Sequence, residues 1–248
     1  MNENERYLFD LKGYLVVPNA LTNQQVTALN RVLEERIASE CSPDMRTHRF
    51  DPLLSWGKDY RDLIDNPSIV PYLAALLGQE FRLDHVYLDV IRSGKGPIGT
   101  RLHGGSTPFR AHSYFHYSDG DMYNGLSVVA YNLKDVGPMD GGFGCVPGSH
   151  KSNYSFPEEW KEMDEVDPIV ERVTGPAGTA IIFTEALTHG TLPWTGFDER
   201  RTIFFKYSPS PISWTAHYLK PDDYQSLTEA QRDLLEAPNS RYRTREYE

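Results

Sequence analysis

The spacing of apolar residues changes near position 80. Upstream of it, Gly13-Tyr14-Leu15-Val16-Val17 is a short run that reads as a strand. Pro18-Asn19-Ala20-Leu21 then leads to Thr22, a residue type that caps helices. Val26, Leu29, Val32, Leu33 and Ile37 recur at helical spacing and predict a helix that buries one face. A second helix is predicted over 68–77, where Ile69, Tyr72, Leu73 and Leu76 repeat the pattern and Gly78 ends it. From Phe81 the period becomes two: Phe81, Leu83, His85, Tyr87, Asp89 and Ile91 alternate, and Gly94-Lys95-Gly96-Pro97 closes the strand as a turn. Further β-like runs cover 126–133, 144–147, 179–184 and 202–208, separated by turns rich in Gly, Pro and Asp. After Trp214 the chain turns polar, with one modest helix over 228–235 and a charged tail, RYRTREYE. Several short strands with turn signals between them predict a closed sandwich or barrel, not βαβ units. We see no internal repeat, linker or boundary, so 1–248 reads as one domain.

Composition narrows the function. A chain of 248 residues with 39% hydrophobic content and 12% aromatics can bury a substantial core. The formal net charge of −10 argues against a general polyanion-binding surface, so no nucleic-acid polymer is expected as partner. Cys41 and Cys145 are far apart and lack metal-type spacing, which reads as two idle thiols, not a disulfide framework or zinc site. The start, MNENERYLFD, has neither a basic stretch nor an apolar h-region, and no run reaches the ~18 apolar residues of a membrane span. The expectation is a soluble cytoplasmic protein without membrane contact, acting on a small molecule.

Candidate chemistry centres on Leu102-His103-Gly104-Gly105 and Leu187-Thr188-His189-Gly190-Thr191. Taken singly, each of the eight histidines reads as a structural or surface residue. Context raises two of them. His103 follows a strand and turn and precedes a mobile-looking Gly-rich, aromatic segment, and His189 follows the apolar strand Thr179-Ala180-Ile181-Ile182-Phe183. Two such imidazoles with a carboxylate two residues after the first form the 2-His-1-carboxylate face of non-haem Fe(II) oxygenases. Here that carboxylate position is Gly105. Arg200, eleven residues beyond His189, is placed for a return hairpin to bring a planar cation beside the metal, where it would grip the distal carboxylate of a keto-acid. A surface arginine explains the spacing equally well.

The run Gly141-Gly142-Phe143-Gly144-Cys145-Val146-Pro147-Gly148-Ser149-His150-Lys151 resembles the PGSHK signature of the phytanoyl-CoA dioxygenase family of Fe(II)/2-oxoglutarate enzymes. The strand and helix that follow Gly13, and His189-Gly190-Thr191 followed by Arg200, resemble the family's start and end, so the likeness spans about 8–210, with a helical extension over 215–248. Phe115-His116-Tyr117-Ser118-Asp119-Gly120 resembles the Trp-His-x-x-Asp-Gly stretch of the family's ectoine hydroxylases, which lies shortly after their His-x-Asp motif. The resemblance implies a mainly β fold with flanking helices around a double-stranded β-helix, or jelly-roll, core. It implies His103 and His189 as iron ligands, with Gly105 at the missing third ligand. Thr191 and Arg200 would hold 2-oxoglutarate, with Arg201 as fallback if the register slips by one. His112, His116 and Asp119 are secondary candidates, and His150 belongs to a turn that is structural in the family.

A glycine in the third ligand's place is also the arrangement of Fe(II)/2-oxoglutarate halogenases, in which chloride bonds the iron. The expectation from the resemblance is therefore a halogenase that uses Fe(II), 2-oxoglutarate, O2 and chloride on an unactivated C–H in natural-product biosynthesis. The alternative is a hydroxylase whose third position holds water or another residue, Asp119 among them; a catalytically dead binding protein is a third reading. Tyr114, Phe115, Tyr117, Tyr123, Trp194 and Trp214 gather near the inferred mouth and suit a ring-bearing substrate, or are ordinary packing. Lys95, Arg101 and Arg110 would meet an anionic group or are solvated loop charges. A nucleotide or an amino-acid-like metabolite is the substrate guess.

Overall fold

The structure is a computed structural model in which residues 1–94, 101–162 and 166–240 are described. The turn expected at 94–97, Lys95 included, lies mostly outside those residues, as does the RYRTREYE tail. Among the described residues are eleven strands: β1 (Tyr14–Val17), β2 (Thr47–Phe50), β3 (Phe81–Ile91), β4 (Phe115–Ser118), β5 (Asp121–Asn124), β6 (Ser127–Asn132), β7 (Gly142–Val146), β8 (Glu171–Arg172), β9 (Ala180–Thr184), β10 (Thr188–Leu192) and β11 (Arg200–Pro209). The α-helices are α1 (Glu3–Lys12), α2 (Asn23–Glu40), α3 (Lys58–Arg61), α4 (Val70–Leu77) and α5 (Glu229–Leu234). A six-stranded sheet runs in the order β1-β9-β6-β11-β3-β2, and a three-stranded sheet in the order β10-β7-β8. Every strand pairing is antiparallel, and β4 and β5 form a separate hairpin.

The period of two decides which residue goes where. On β6 and β11, Val129, Tyr131, Ile203 and Phe205 point to one side, where they pack with Leu29 and Leu33 of α2 and Leu73 and Leu76 of α4. Val128, Ala130 and Phe204 point to the other side and meet Phe143 and Cys145 of β7 across the sandwich. Both sides of the central strands are covered, which is why β6 and β9 are buried at every position. The result is the mainly β, jelly-roll-like core with outer helices that the sequence predicts.

Three features escape the hydrophobic pattern. Helix α1 is set by its ends: Asn2 and Glu5 form a capping box and Gly13 closes it at φ 81°, while Phe9 is its one buried residue. Tyr7, Leu8 and Leu11 stay exposed, so no apolar stripe announces it. Strand β2 buries only Phe50. The aromatic segment after His103, expected as a loop, contains the β4–β5 hairpin. Helix α2 follows the predicted stripe and opens on the predicted Thr22 cap. Helix α4 starts at Val70 with Pro71 in its first turn, two residues later than expected.

One irregularity matters for function. β11 and β3 slip register between Lys206 and Tyr207, which leaves Asp84 as an extra residue on β3. Its buried carboxylate accepts hydrogen bonds from Arg82 (3.1 Å), Ser208 (3.2 Å) and the Trp214 backbone N–H (2.9 Å), and lies 2.7 Å from His85 Nδ1.

Because Phe205 is fully buried between the central strand and the helices, Phe205→Ala is expected to cost about 3–5 kcal/mol, read as a lowered urea midpoint with an unchanged m-value.

Candidate metal centre

His189 sits mid-strand on β10, paired with Cys145 on one side. On its other side is an isolated antiparallel bridge to His103. The two residues exchange both backbone hydrogen bonds, each N–H donating to the other's carbonyl at 2.8 Å. That doubly bonded pairing sets the imidazoles side by side, with ring centroids 4.3 Å apart. The chain passes so close here that a Cβ on Gly104 would fall 2.3 Å from the Leu187 carbonyl oxygen, so position 104 must be glycine.

Each ring has its tautomer set in the same way. His189 Nδ1 lies 2.7 Å from the Leu187 carbonyl and His103 Nδ1 lies 3.3 Å from the Arg101 carbonyl. A carbonyl only accepts, so each Nδ1 carries a hydrogen, which leaves Nε2 as the ring atom a metal would bind. Burial, with His103 alongside, pushes His189 down to about 4, so the ring is neutral at pH 7 and ready to bind a metal. His103 is exposed and opens one side of the pair to the outside.

A carboxylate completes the group. Glu185 follows β9 directly, and the tight turn 185–187 returns the chain to β10 four residues later. Ligand atoms of His103, Glu185 and His189 all lie within 4.8 Å of one another, the one such group of three among the described residues. Burial works against the charge on Glu185, but Lys206 at 2.6 Å and the two imidazoles outweigh it and hold the carboxyl down to about 2. Sequence reasoning missed this residue because it sought the carboxylate two positions after His103. The available signal was an acid inside the apolar stretch Ala180-Ile181-Ile182-Phe183-Thr184-Glu185-Ala186-Leu187, four residues before a histidine.

Thr191 and Arg200 come together across β10 and β11, with Arg200 Nη1 donating to Thr191 Oγ1 at 3.3 Å. Arg200 is 2% exposed, and its Nε is buried without a hydrogen-bond partner among the described residues. Burial pushes its guanidinium down to about 10, so it remains charged at neutral pH. A buried, charged fork with an orphaned donor fits the distal carboxylate of 2-oxoglutarate. Arg201, one residue on, serves the opposite side, bonded to Glu199, Glu34 and Asn30. The two imidazoles, the carboxylate and this arginine therefore fit an iron ion and a keto-acid.

The other residues singled out by sequence lie elsewhere. Gly105 has φ +94°, and a Cβ there would come within 3.1 Å of Thr188 Oγ1; it borders a neighbouring groove with Thr188, Val146 and Phe156. His116 and Asp119 are exposed on the β4–β5 hairpin, where Asp119 occupies the turn at φ 54°. His112 is half-buried, its backbone carbonyl accepting from Leu126 N–H. His150 is fully buried, its Nε2 donating to the Asp10 carbonyl at 3.0 Å, and its ring packs edge-on against Phe115. Arg101 is engaged by Glu158 and Glu162, and Arg110 is exposed. Of the six aromatics, Trp214 reaches the metal cavity and Trp194 packs with Ile91 and Val136. Tyr114, Phe115, Tyr117 and Tyr123 line other hollows around the hairpin.

The cavity over the three ligand atoms has a volume of about 280 Å³. Tyr87, Phe143, Phe183, Phe204 and Trp214 wall it, and Arg49, Asp89 and Lys206 supply its further charges. A jelly-roll whose mouth holds two imidazoles, a carboxylate and a buried arginine defines the class of mononuclear non-haem metal oxygenases. The chain belongs to the phytanoyl-CoA dioxygenase (PhyH) family, whose sequence profile residues 9–202 match. It is an Fe(II)/2-oxoglutarate-dependent oxygenase of that family.

Solved structures share the double-stranded β-helix. HygX from Streptomyces hygroscopicus with nickel and 2-oxoglutarate bound is similar over 92% of this chain and 95% of its own, with 24% identity and a TM-score of 0.78. The same protein with iron bound gives 24% identity, 92% and 94% coverage and a TM-score of 0.74. With nickel, 2-oxoglutarate and hygromycin B bound, it gives 24% identity, 86% and 89% coverage and a TM-score of 0.74. No curated protein matches the chain. No helix among the described residues is long and apolar enough to cross a membrane.

Burial pushes His150 down to about 4, below its ordinary value of 6.5. The unfolded chain therefore binds the proton more readily, and stability is lost as pH falls from about 6.5 towards 4. Between pH 7 and 5 the loss from this ring is expected to be roughly 2 kcal/mol. His150→Gln should show a correspondingly smaller drop in urea midpoint between the same two pH values.

Proposed function

We propose that this oxygenase hydroxylates an unactivated C–H of a small metabolite, with His103 and His189 as iron ligands and Arg200 and Thr191 as the anchor for 2-oxoglutarate. The observation that carries this reading is the pair of imidazoles, each with Nδ1 turned to a backbone carbonyl, at a cavity beside a buried arginine with an orphaned donor. Bound iron supplies O2 activation: one oxygen atom goes to 2-oxoglutarate, giving succinate and CO2, and the other goes into the substrate C–H, giving C–OH. The chain's own residues do the rest. The backbone carbonyls of Leu187 and Arg101 hold the two rings in the metal-binding tautomer. Arg200 and Thr191 orient the keto-acid, and the aromatic walls exclude water and aim the substrate.

Hydroxylation is favoured over chlorination because a carboxylate is at hand: Glu185 stands among the imidazoles, where it competes for the coordination position that chloride would need. Gly105, the basis for expecting chloride, borders a different hollow. The chlorination reading stays attached to one measurement, the effect of chloride on the anaerobic Fe(II)–2-oxoglutarate charge-transfer band. An indifferent band supports hydroxylation; a saturable chloride-dependent shift supports a halogenase. Gly105→Asp is a poor substitute for that measurement, because φ +94° strains any side chain there.

For the substrate, the cations of the cavity are already engaged: Arg49 with Asp89 at 2.7 Å and Lys206 with Glu185 at 2.6 Å. Among the described residues of the cavity wall both cations are thus engaged, which favours an uncharged or amine-bearing ring compound over a nucleotide. That HygX carries hygromycin B in one structure accords with a small-molecule substrate.

Arg200→Ala is expected to weaken 2-oxoglutarate binding by about 10- to 100-fold, since a charge-assisted pair is worth roughly 1.5–3 kcal/mol. Titration of the same anaerobic band measures it, and an unchanged affinity would remove Arg200 from the site. Arg201→Ala should leave the affinity for 2-oxoglutarate intact.

A further inference from the structure

We infer that Glu185 is the third protein ligand of the iron, supplying from the β9–β10 turn the carboxylate that Gly105 cannot. The inference rests on the oxygenase reading and adds to it a ligand outside the His-x-carboxylate pattern.

Four observations converge. Glu185 is the one carboxylate that shares a 4.8 Å neighbourhood with both His103 and His189 among the described residues. Its two oxygens face different partners: Oε1 lies 2.6 Å from Lys206 Nζ, and Oε2 faces His189 Nε2 at 3.9 Å. Two atoms 3.9 Å apart are too far for a hydrogen bond to each other, yet close enough for both to reach one ion between them. His189 Nδ1 is committed to the Leu187 carbonyl at 2.7 Å, which leaves Nε2 as the ring atom turned towards this oxygen. Finally, the residue is 13% exposed in its side chain and lies at the cavity wall, where a bare carboxylate is costly unless it is paired or coordinated.

Lys206 fits the same arrangement. The β-bulge at Asp84 falls beside it, and its ammonium, itself 12% exposed, takes one oxygen of Glu185 and leaves the other free to coordinate. The sequence relationship is also economical: Glu185 opens the tight turn that leads into β10, His189 follows four residues later, and His103 is fixed to His189 by backbone hydrogen bonds. All three ligands thus belong to a single rigid patch.

The test is metal binding to the whole protein, with Co(II) as the probe and no 2-oxoglutarate or substrate present. Wild type should bind one Co(II), and His103→Ala should abolish the site. Glu185→Gln keeps the shape of the side chain and removes its anionic oxygen. It is expected to bind Co(II) at least tenfold more weakly, with an altered visible d–d spectrum that millimolar formate restores towards that of wild type. Glu185→Ala/Lys206→Met, which leaves no unpaired buried charge, should behave in the same way. Wild-type affinity and spectrum in Glu185→Gln would overturn the assignment while leaving the histidine site standing. Co(II) binding that survives His103→Ala unchanged would overturn both the assignment and the iron-site reading beneath it.

Discussion

The structure depends on the exchange of two backbone hydrogen bonds between His103 and His189. These residues are 86 positions apart in sequence, and the isolated bridge between them sets their rings side by side, tilted by 56° with centroids 4.3 Å apart. This backbone pairing brings the two histidines onto one side of neighbouring segments, 2.8 Å apart at each exchanged hydrogen bond. The cost falls on residue 104, where the chain approaches Leu187 so closely that only glycine fits. Around this point the remaining parts are arranged by strand alternation: Phe143, Phe183 and Phe204 face inward from both sheets and hold the imidazoles in an apolar wall.

Charge inside the site is balanced locally, with little relation to the overall charge of −10. Lys206 answers Glu185 and Arg49 answers Asp89, with Arg49 also lying over the Tyr87 ring at 3.9 Å. Arg200 is the exception. It is buried at the far side of Thr191 with a donor unsatisfied, and the attraction it feels from Asp89 and Tyr87 does not offset the burial. A permanent cation held in this state stores binding free energy for an anion that arrives from solution.

Much of this was legible in the sequence, for reasons that can be named. β3, β6, β9 and β11 were readable because alternation and apolar runs report directly on sheet burial. His103, His189, Thr191 and Arg200 were singled out by motif spacing, and the fold brings the two histidines together and Arg200 to Thr191. Helix α1 was not, since a capping box and a left-handed glycine, not an apolar stripe, define it. Glu185 was not, because its role comes from the path of a turn: in one dimension it is a loop acid, and only the reversal from β9 to β10 brings it to the imidazoles. The choice between Arg200 and Arg201 was likewise a matter of facing. Adjacent residues on a strand point to opposite sides, and neither composition nor spacing tells which side holds the metal.

The bulge at Asp84 has a different reach. Its carboxylate ties Arg82, His85, Ser208 and the backbone of Trp214 into one buried knot, and Trp214 stacks on His85 at 5.0 Å to form a wall of the cavity. This wall of the cavity is thus anchored to β3 and the segment after β11, whereas the histidines are anchored to the small sheet. Holding the metal and shaping the substrate are separately mounted. A lineage could exchange the segment around Trp214, and with it the molecules accepted, while the oxidising machinery stayed as it was.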